Sequence, residues 1–271
     1  IEITKEKYLS CILKKYKNII LPKPEVIDDI IINIAFPSVN RPEMIESNIK
    51  SLIKYLKGVN FEKSNIFMNM DPVPKIFDIN RSEQIVKKYI PNLKINYSKK
   101  PSYPNAYIWS LKQCCDNKVK SNLLLFLPDD WEFVNYININ DVLKKLEQNP
   151  DIKAISLNND WEHGFTFDDT INKHIENEKS GFRSTPGFFK IDFLSEYIDI
   201  LEPVPCPIEK SLNNIFIKKY NEDKSKLKLS MWLSNQHLYY CIDTGIKWRE
   251  SQNIPHGLVH KSGKYKLCSI D

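Results

Sequence analysis

The sequence predicts an α/β fold, with a mostly parallel, doubly wound central sheet flanked by helices in one compact domain over residues 1–271. Three observations predict it. Apolar runs and amphipathic stretches alternate as β-α-β-α-β-α-β through the first half, the rhythm of a parallel sheet with crossover helices. The run Leu123-Leu124-Leu125-Phe126-Leu127 is apolar at every position, as a strand covered on both faces must be. Each such run ends in polar residues: Ser38 and Asn40, then Asp71, then the loop 99–103, then Asp129 and Asp130. Open α/β sheets bind ligands there, beyond the carboxyl ends of their strands.

The elements follow in order. Residues 4–17 carry Tyr8, Ile12, Leu13 and Tyr16 at helical spacing, and Pro22 and Pro24 stop that helix. Residues 30–36 form the first buried strand, and a loop 37–42 leads to a helix with Asn40 as a candidate cap, Pro42 in the first turn and an end near Gly58. Strands at 65–70 and 93–97 flank a helix at 82–89, and a helix at 105–115 leads into the run at 123–127. The second half is less regular: a helix at 141–148, a strand at 154–157, a strand or turn around Pro186-Gly187-Phe188-Phe189, helices at 191–200 and 208–220, and a strand at 239–242.

Composition narrows the class. Apolar residues make up 42% and aromatics 11%, enough for a sizeable core. A net charge of +5 from 39 basic and 34 acidic residues describes a mixed surface, suited to small anionic substrates and a poor case for nucleic acid. No apolar run approaches the ~20 residues of a membrane span. The six cysteines show no C-x-x-C pair and no zinc spacing, which points to free thiols in a reducing compartment. Without a signal-peptide pattern the expectation is a soluble, cytoplasmic protein, although the chain begins with Ile1 and a longer parent stays open.

Asp129, Asp130 and Glu132 place three acids within four residues, which repel one another unless a cation or proton compensates them. A divalent-metal site at the end of a buried strand is the expectation. The pairs Asp28-Asp29 and Asp168-Asp169 lack that setting and are expected in solvent. A P-loop NTPase would need G-x-x-x-x-G-K-[ST]; the fragment Ser262-Gly263-Lys264-Tyr265 lacks the first glycine and the hydroxyl residue, which excludes it.

Three motifs, taken together over residues 30–135, resemble the GT-A glycosyltransferases of the broad family 2-like type. Pro37-Ser38-Val39-Asn40-Arg41-Pro42 looks like the Pro-x-x-Asn-Arg-Pro loop that follows the first strand in many of them. Asp71 matches the acid that contacts the nucleotide base. Leu127-Pro128-Asp129-Asp130-Trp131 resembles the DxD-type motif in its Asp-Asp-Trp form, with Pro128 where the family usually has another acid.

The resemblance implies a metal-dependent hexosyl transfer from a nucleotide-diphosphate sugar, UDP before GDP, to a hydroxyl on a glycan, protein or lipid-linked acceptor. Residues 30–135 would bind nucleotide and metal, and residues 136–271 the acceptor. Pro37 and Ser38 would hold the base, with Asn40 and Arg41 near base or phosphate; the same two residues also suit a plain helix start. Asp71 also makes a good turn with Pro72. Tyr103 and Asn105 lie near the nucleotide, though Asn105 equally fits an ordinary helix cap. Asp130 would bind Mn2+ or Mg2+, hard ions that take oxygen ligands. Asp129 would contact the ribose or the metal shell, and Glu132, His256 and His260 are further candidates for the metal or diphosphate. For an inverting transfer Glu209 is the candidate base and Asp192 the reserve; Glu209 also suits a first helical turn on dipole grounds alone. A sugar-nucleotidyltransferase is the alternative, against which stands the lack of glycine over residues 35–42. A non-catalytic carbohydrate-binding relative is the other, against which stand both aspartates.

Overall fold

The computed structural model describes residues 21–72, 78–157, 185–200, 230–233 and 240–245. In chain order the strands are β1 (Asn33–Val39), β2 (Leu56–Lys57), β3 (Asn65–Asp71), β4 (Asn92–Tyr97), β5 (Leu123–Phe126), β6 (Trp131–Phe133), β7 (Ile137–Asn138), β8 (Ala154–Ser156), β9 (Gly187–Lys190), β10 (Ser230–Trp232) and β11 (Cys241–Asp243). The helices are α1 (Pro42–Tyr55), α2 (Ile79–Tyr89), α3 (Tyr103–Asp116), α4 (Ile139–Gln148) and α5 (Ile191–Ser195), with a 3-10 turn at Ile198–Ile200.

Seven strands form the main sheet in the order β10-β8-β9-β5-β1-β3-β4. All neighbouring pairs are parallel except those of β9, which runs antiparallel to both β5 and β8. The sheet therefore draws strands from both halves of the chain. Alternation explains why its central strands read as unbroken apolar runs. Ile34, Phe36, Ile66, Met68, Leu123 and Leu125 face one core with Ile45, Ile49 and Leu52 of α1. Ala35, Phe67, Leu124 and Phe126 face a second core with Tyr107, Leu111 and Cys114 of α3. With helices on both faces neither side of the strand can be polar.

Several boundaries depart from the sequence reading. Residues 187–190 are a strand, and the helix expected over 191–200 is the short α5 followed by the 3-10 turn. Helix α1 ends at Tyr55, because Leu56 and Lys57 pair with β7 before Gly58 turns the chain at φ +85°. Neither expected asparagine cap forms. Arg41 holds the cap position of α1 while the Asn40 side-chain Oδ1 accepts from Ser82 Oγ at 3.0 Å. Ser102 caps α3 by accepting from the Asn105 N–H, so Asn105 is the capped residue. A proline in the first turn lets a helix start without a side-chain cap, since its missing N–H is one of the orphan donors.

The helices expected at 4–17 and 208–220, the pair Asp168-Asp169 and residues 256–263 lie outside the described residues. Cys114, Cys115 and Cys241 are buried without a disulfide. No described helix is long and apolar enough to cross a membrane.

Candidate active site at the carboxyl ends of the parallel strands

Because β3, β1 and β5 lie side by side and parallel, their carboxyl ends open onto one edge of the sheet. That edge brings together Ser38 near the end of β1, Asn40 and Arg41 just after it, Asp71 at the end of β3, and Asp129 and Asp130 after β5. Past Phe126 the chain still follows β1: the Leu127 N–H donates to Ala35 O at 2.9 Å and the Asp129 N–H to Pro37 O at 3.4 Å. Pro37 is tolerated inside a central strand because its missing N–H faces this side, where β5 has already ended.

Asp129 is 4% exposed and saturated with donors. Its Oδ2 accepts from Ser38 Oγ, Val39 N and Arg41 Nε, each at 3.2 Å, and its Oδ1 accepts from Arg41 Nη2 at 2.5 Å. Burial pushes its carboxyl above the ordinary carboxylate range, against the opposing pull of the Arg41 guanidinium and the Val39 N–H. Arg41, itself 5% exposed, is thus the cation that compensates the paired acids. The arginine expected against phosphate or base is turned inward, forked onto a carboxylate in the bidentate geometry that suits it.

Asp130 differs. Its side chain is 23% exposed, and its carboxylate meets Arg41 Nη2 only at 3.5 Å. Its backbone is held from the C-terminal side, where Thr244 N and Oγ1 donate to its carbonyl at 2.8 and 3.1 Å. Gly245 lies so close that a Cβ there would stand 2.6 Å from Asp130 Oδ2. Glu132, expected on the same face as Asp130, points elsewhere because Asp129 and Asp130 form a turn before β6 begins. Its Oε1 accepts from Ser47 Oγ of α1 at 2.6 Å.

Asp71, 4% exposed, anchors the other side of the edge. It accepts from the Ser102 N–H at 2.9 Å and the Asn69 amide at 3.3 Å, tying the end of β3 to the start of α3. Burial raises its pKa, opposed by the Ser98 hydroxyl, the Ser102 N–H and the Asn69 amide. Tyr103, 38% exposed, stands at the mouth of α3 with its ring 6.1 Å from that of Tyr107. Asn105 is exposed in the same turn.

Asp192 is not part of this edge. Since β9 runs against β5, its carboxyl end lies at the opposite margin, about 13 Å away for four residues at 3.3 Å each. There Asp192 bonds Lys118 at 2.8 Å. That position removes it as a base for chemistry at Asp130. Glu209, His256 and His260 lie outside the described residues.

No described group of three or more His, Cys, Asp or Glu side chains is arranged to hold a metal ion. Asp129 already accepts four hydrogen bonds, two of them from Arg41, and Glu132 is bound to α1. Asp130 still fits a hard divalent ion of the kind held by one or two carboxylates together with substrate phosphates. Sequence reasoning missed Asn48, whose amide reaches the turn from α1, and Thr244 and Gly245. A polar residue within the apolar stripe of Met44, Ile45, Ile49 and Leu52 was the available signal for the first; nothing local marked the other two.

No protein-family model matches the chain. No curated protein matches it either. Solved structures do resemble it. A 4-diphosphocytidyl-2C-methyl-D-erythritol synthase from Anaerococcus prevotii is 13% identical, with 74% of this chain and 87% of that one covered at a TM-score of 0.42. A CMP:2-keto-3-deoxy-manno-octonic acid synthetase complexed with CTP is 11% identical, with 83% and 98% covered at 0.45. A mannosyltransferase from Pyrobaculum calidifontis in complex with GDP-Man and Mn2+ is 11% identical, with 73% and 55% covered at 0.42. Glycosyltransferases and nucleotidyltransferases thus both stand among the similar structures, and the functional reading rests on the side chains.

Proposed function

We propose that this chain is a metal-dependent glycosyltransferase that moves a sugar from a nucleotide-diphosphate sugar, UDP-linked in preference to GDP-linked, onto an acceptor hydroxyl with inversion. One observation carries the proposal. At the carboxyl end of a buried parallel strand, two adjacent aspartates are divided in role: Asp129 is neutralised inside the protein, and Asp130 is left partly exposed. A metal–diphosphate site needs that asymmetry, since a carboxylate already saturated with donors is a poor ligand and a rigidly seated one is a good one.

Asp130 would hold Mn2+ or Mg2+. The ion supplies Lewis-acid stabilisation to the departing diphosphate. The chain's own part is orientation. Asp71 and the backbone at Pro37 and Ser38 face the nucleotide base across the sheet edge, and Tyr103 offers a ring at its rim. Asp129 and Arg41 hold the turn and touch neither ion nor sugar. Glu209 is the proposed base that takes the proton of the acceptor hydroxyl, and His256 and His260 are proposed near the diphosphate. The acceptor is assigned to the second half of the chain.

Thermal unfolding with UDP, GDP and CMP, each with and without Mn2+, tests this. UDP is expected to stabilise the protein only when Mn2+ is present, by about 2.7 kcal/mol at a hundredfold excess over Kd. Asp130→Ala should remove the response with little change in the ligand-free melting temperature. A wild-type protein indifferent to every nucleotide in the presence of Mn2+ refutes the proposal.

A further inference from the structure

Asn48 sits in the middle of α1, fully buried among apolar residues. Its Nδ2 donates to Trp131 O at 2.6 Å and to Pro128 O at 3.0 Å, the carbonyls on either side of Asp129-Asp130. Both amide protons are used, and the assignment is unambiguous: turned over, the amide would press an oxygen against two carbonyls. Its Oδ1 meets no donor among the described residues. A buried acceptor left without a partner is unfavourable for stability, and an apolar residue here would avoid that cost. The amide does what no apolar residue could, joining the two ends of the turn across its base.

Neighbouring side chains act on the same segment. Arg41, seven residues earlier, holds Asp129. Ser47 donates to Glu132 at 2.6 Å, and Ser51, one turn beyond Asn48, accepts from the Phe133 N–H at 2.9 Å. Residues three, four and seven apart share a helix face. Four side chains of α1 and its cap thus grip residues 128–133, and the Asp130 carboxylate receives none of these bonds except the long contact to Arg41.

We infer that Asn48 is a positioning residue: by bridging Pro128 O and Trp131 O it fixes the turn that presents Asp130, and so sets how tightly the site takes a divalent cation with a nucleoside diphosphate. The inference rests on the reading of Asp130 as the metal ligand. Preorganised ligands supported by neighbouring hydrogen bonds bind more tightly than the same ligands on a loose loop.

The test uses the full chain as Asn48→Leu, and as Asn48→Ser, which leaves room for water and keeps the test alive should the leucine variant fail to fold. Val142→Ala, a core truncation on α4, serves as the control for lost stability. Two readouts are taken: the Mn2+ midpoint of stabilisation at fixed UDP, and hydrogen exchange of the amides at 129–134 without ligand. Either Asn48 variant is expected to raise the Mn2+ midpoint at least tenfold and to speed exchange in the turn, with exchange in β1 and β3 unchanged. Val142→Ala should leave the Mn2+ midpoint where it is. A folded Asn48 variant with the wild-type midpoint overturns the inference, as does a Val142→Ala midpoint shifted equally. A wild-type protein with no response to UDP and Mn2+ is a different result; it refutes the proposed function and removes the basis of the inference with it.

Discussion

Replacing Arg41 with methionine would strand the Asp129 carboxylate at a position only 4% exposed. Methionine approximates the volume of the arginine stem and removes both guanidinium bonds, leaving Ser38 Oγ and Val39 N as the donors to Asp129. Breaking a buried ion pair from one side costs about 3–5 kcal/mol, because the remaining charge is desolvated without compensation. At about 2–4 °C per kcal/mol for a domain of this size, the melting temperature should fall by roughly 6–20 °C at pH 7. The pH dependence gives the argument a sign. Burial already pushes the Asp129 pKa upward, and Arg41 is the largest opposing influence, so its removal raises the folded-state value further. A group whose pKa is raised on folding contributes stability that is fully present below its unfolded value, about 3.9, and lost as pH rises through the folded one. The deficit of Arg41→Met relative to wild type should therefore shrink as pH is lowered from 7 toward 4. The double variant Arg41→Met/Asp129→Asn removes both charges and should recover most of the lost stability at pH 7. Thermal unfolding of the three proteins across that pH range measures all of this. An equal loss in the single and double variants, with no pH dependence, would refute the account of Arg41 and Asp129 as a buried charge pair.

Two further substitutions probe the frame around the turn. Gly245→Ala would place a Cβ 2.6 Å from Asp130 Oδ2 and 2.7 Å from its Cβ, so the two segments must part; urea denaturation should show a loss of about 1–3 kcal/mol, as for overpacking elsewhere. Ser102→Ala removes the cap that accepts from the Asn105 N–H at the start of α3 and should cost about 1 kcal/mol by the same assay, with the Asp71 bond to the Ser102 N–H preserved because it uses backbone.

The central sheet was legible before any coordinates because its signal is local. A strand buried on both faces must be apolar at every position, and 33–36, 66–70 and 123–127 are close to that. The edge that holds the candidate site was legible for the same reason, since polar residues at the ends of parallel strands fall on one margin once the crossovers are assigned. Cap assignments failed at Asn40, whose side-chain oxygen is taken by Ser82 while Arg41 holds the cap position, and at Asn105, where Ser102 is the cap; the outcome depends on which neighbour comes within reach. The direction of β9 was also hidden: Gly187-Phe188-Phe189 has the same alternation whether it runs with β5 or against it. That direction alone carries Asp192 to the far margin.

What the sequence determined by itself is where the acids are concentrated: an apolar strand that delivers Asp129 and Asp130 to the carboxyl edge of a parallel sheet. The family resemblance favoured Asp130 over Asp129, but only the tertiary structure shows the physical difference between them, one buried against Arg41 and one partly exposed. Adjacent aspartates are equivalent as letters, and the difference between them is made by Arg41, 88 residues away in sequence and bonded to Asp129. Gly245 and Asn48 act on the same turn from segments also remote in sequence. Burial and charge pairing are properties of what surrounds a group in space, and no local pattern in a chain encodes the neighbour that folding will bring.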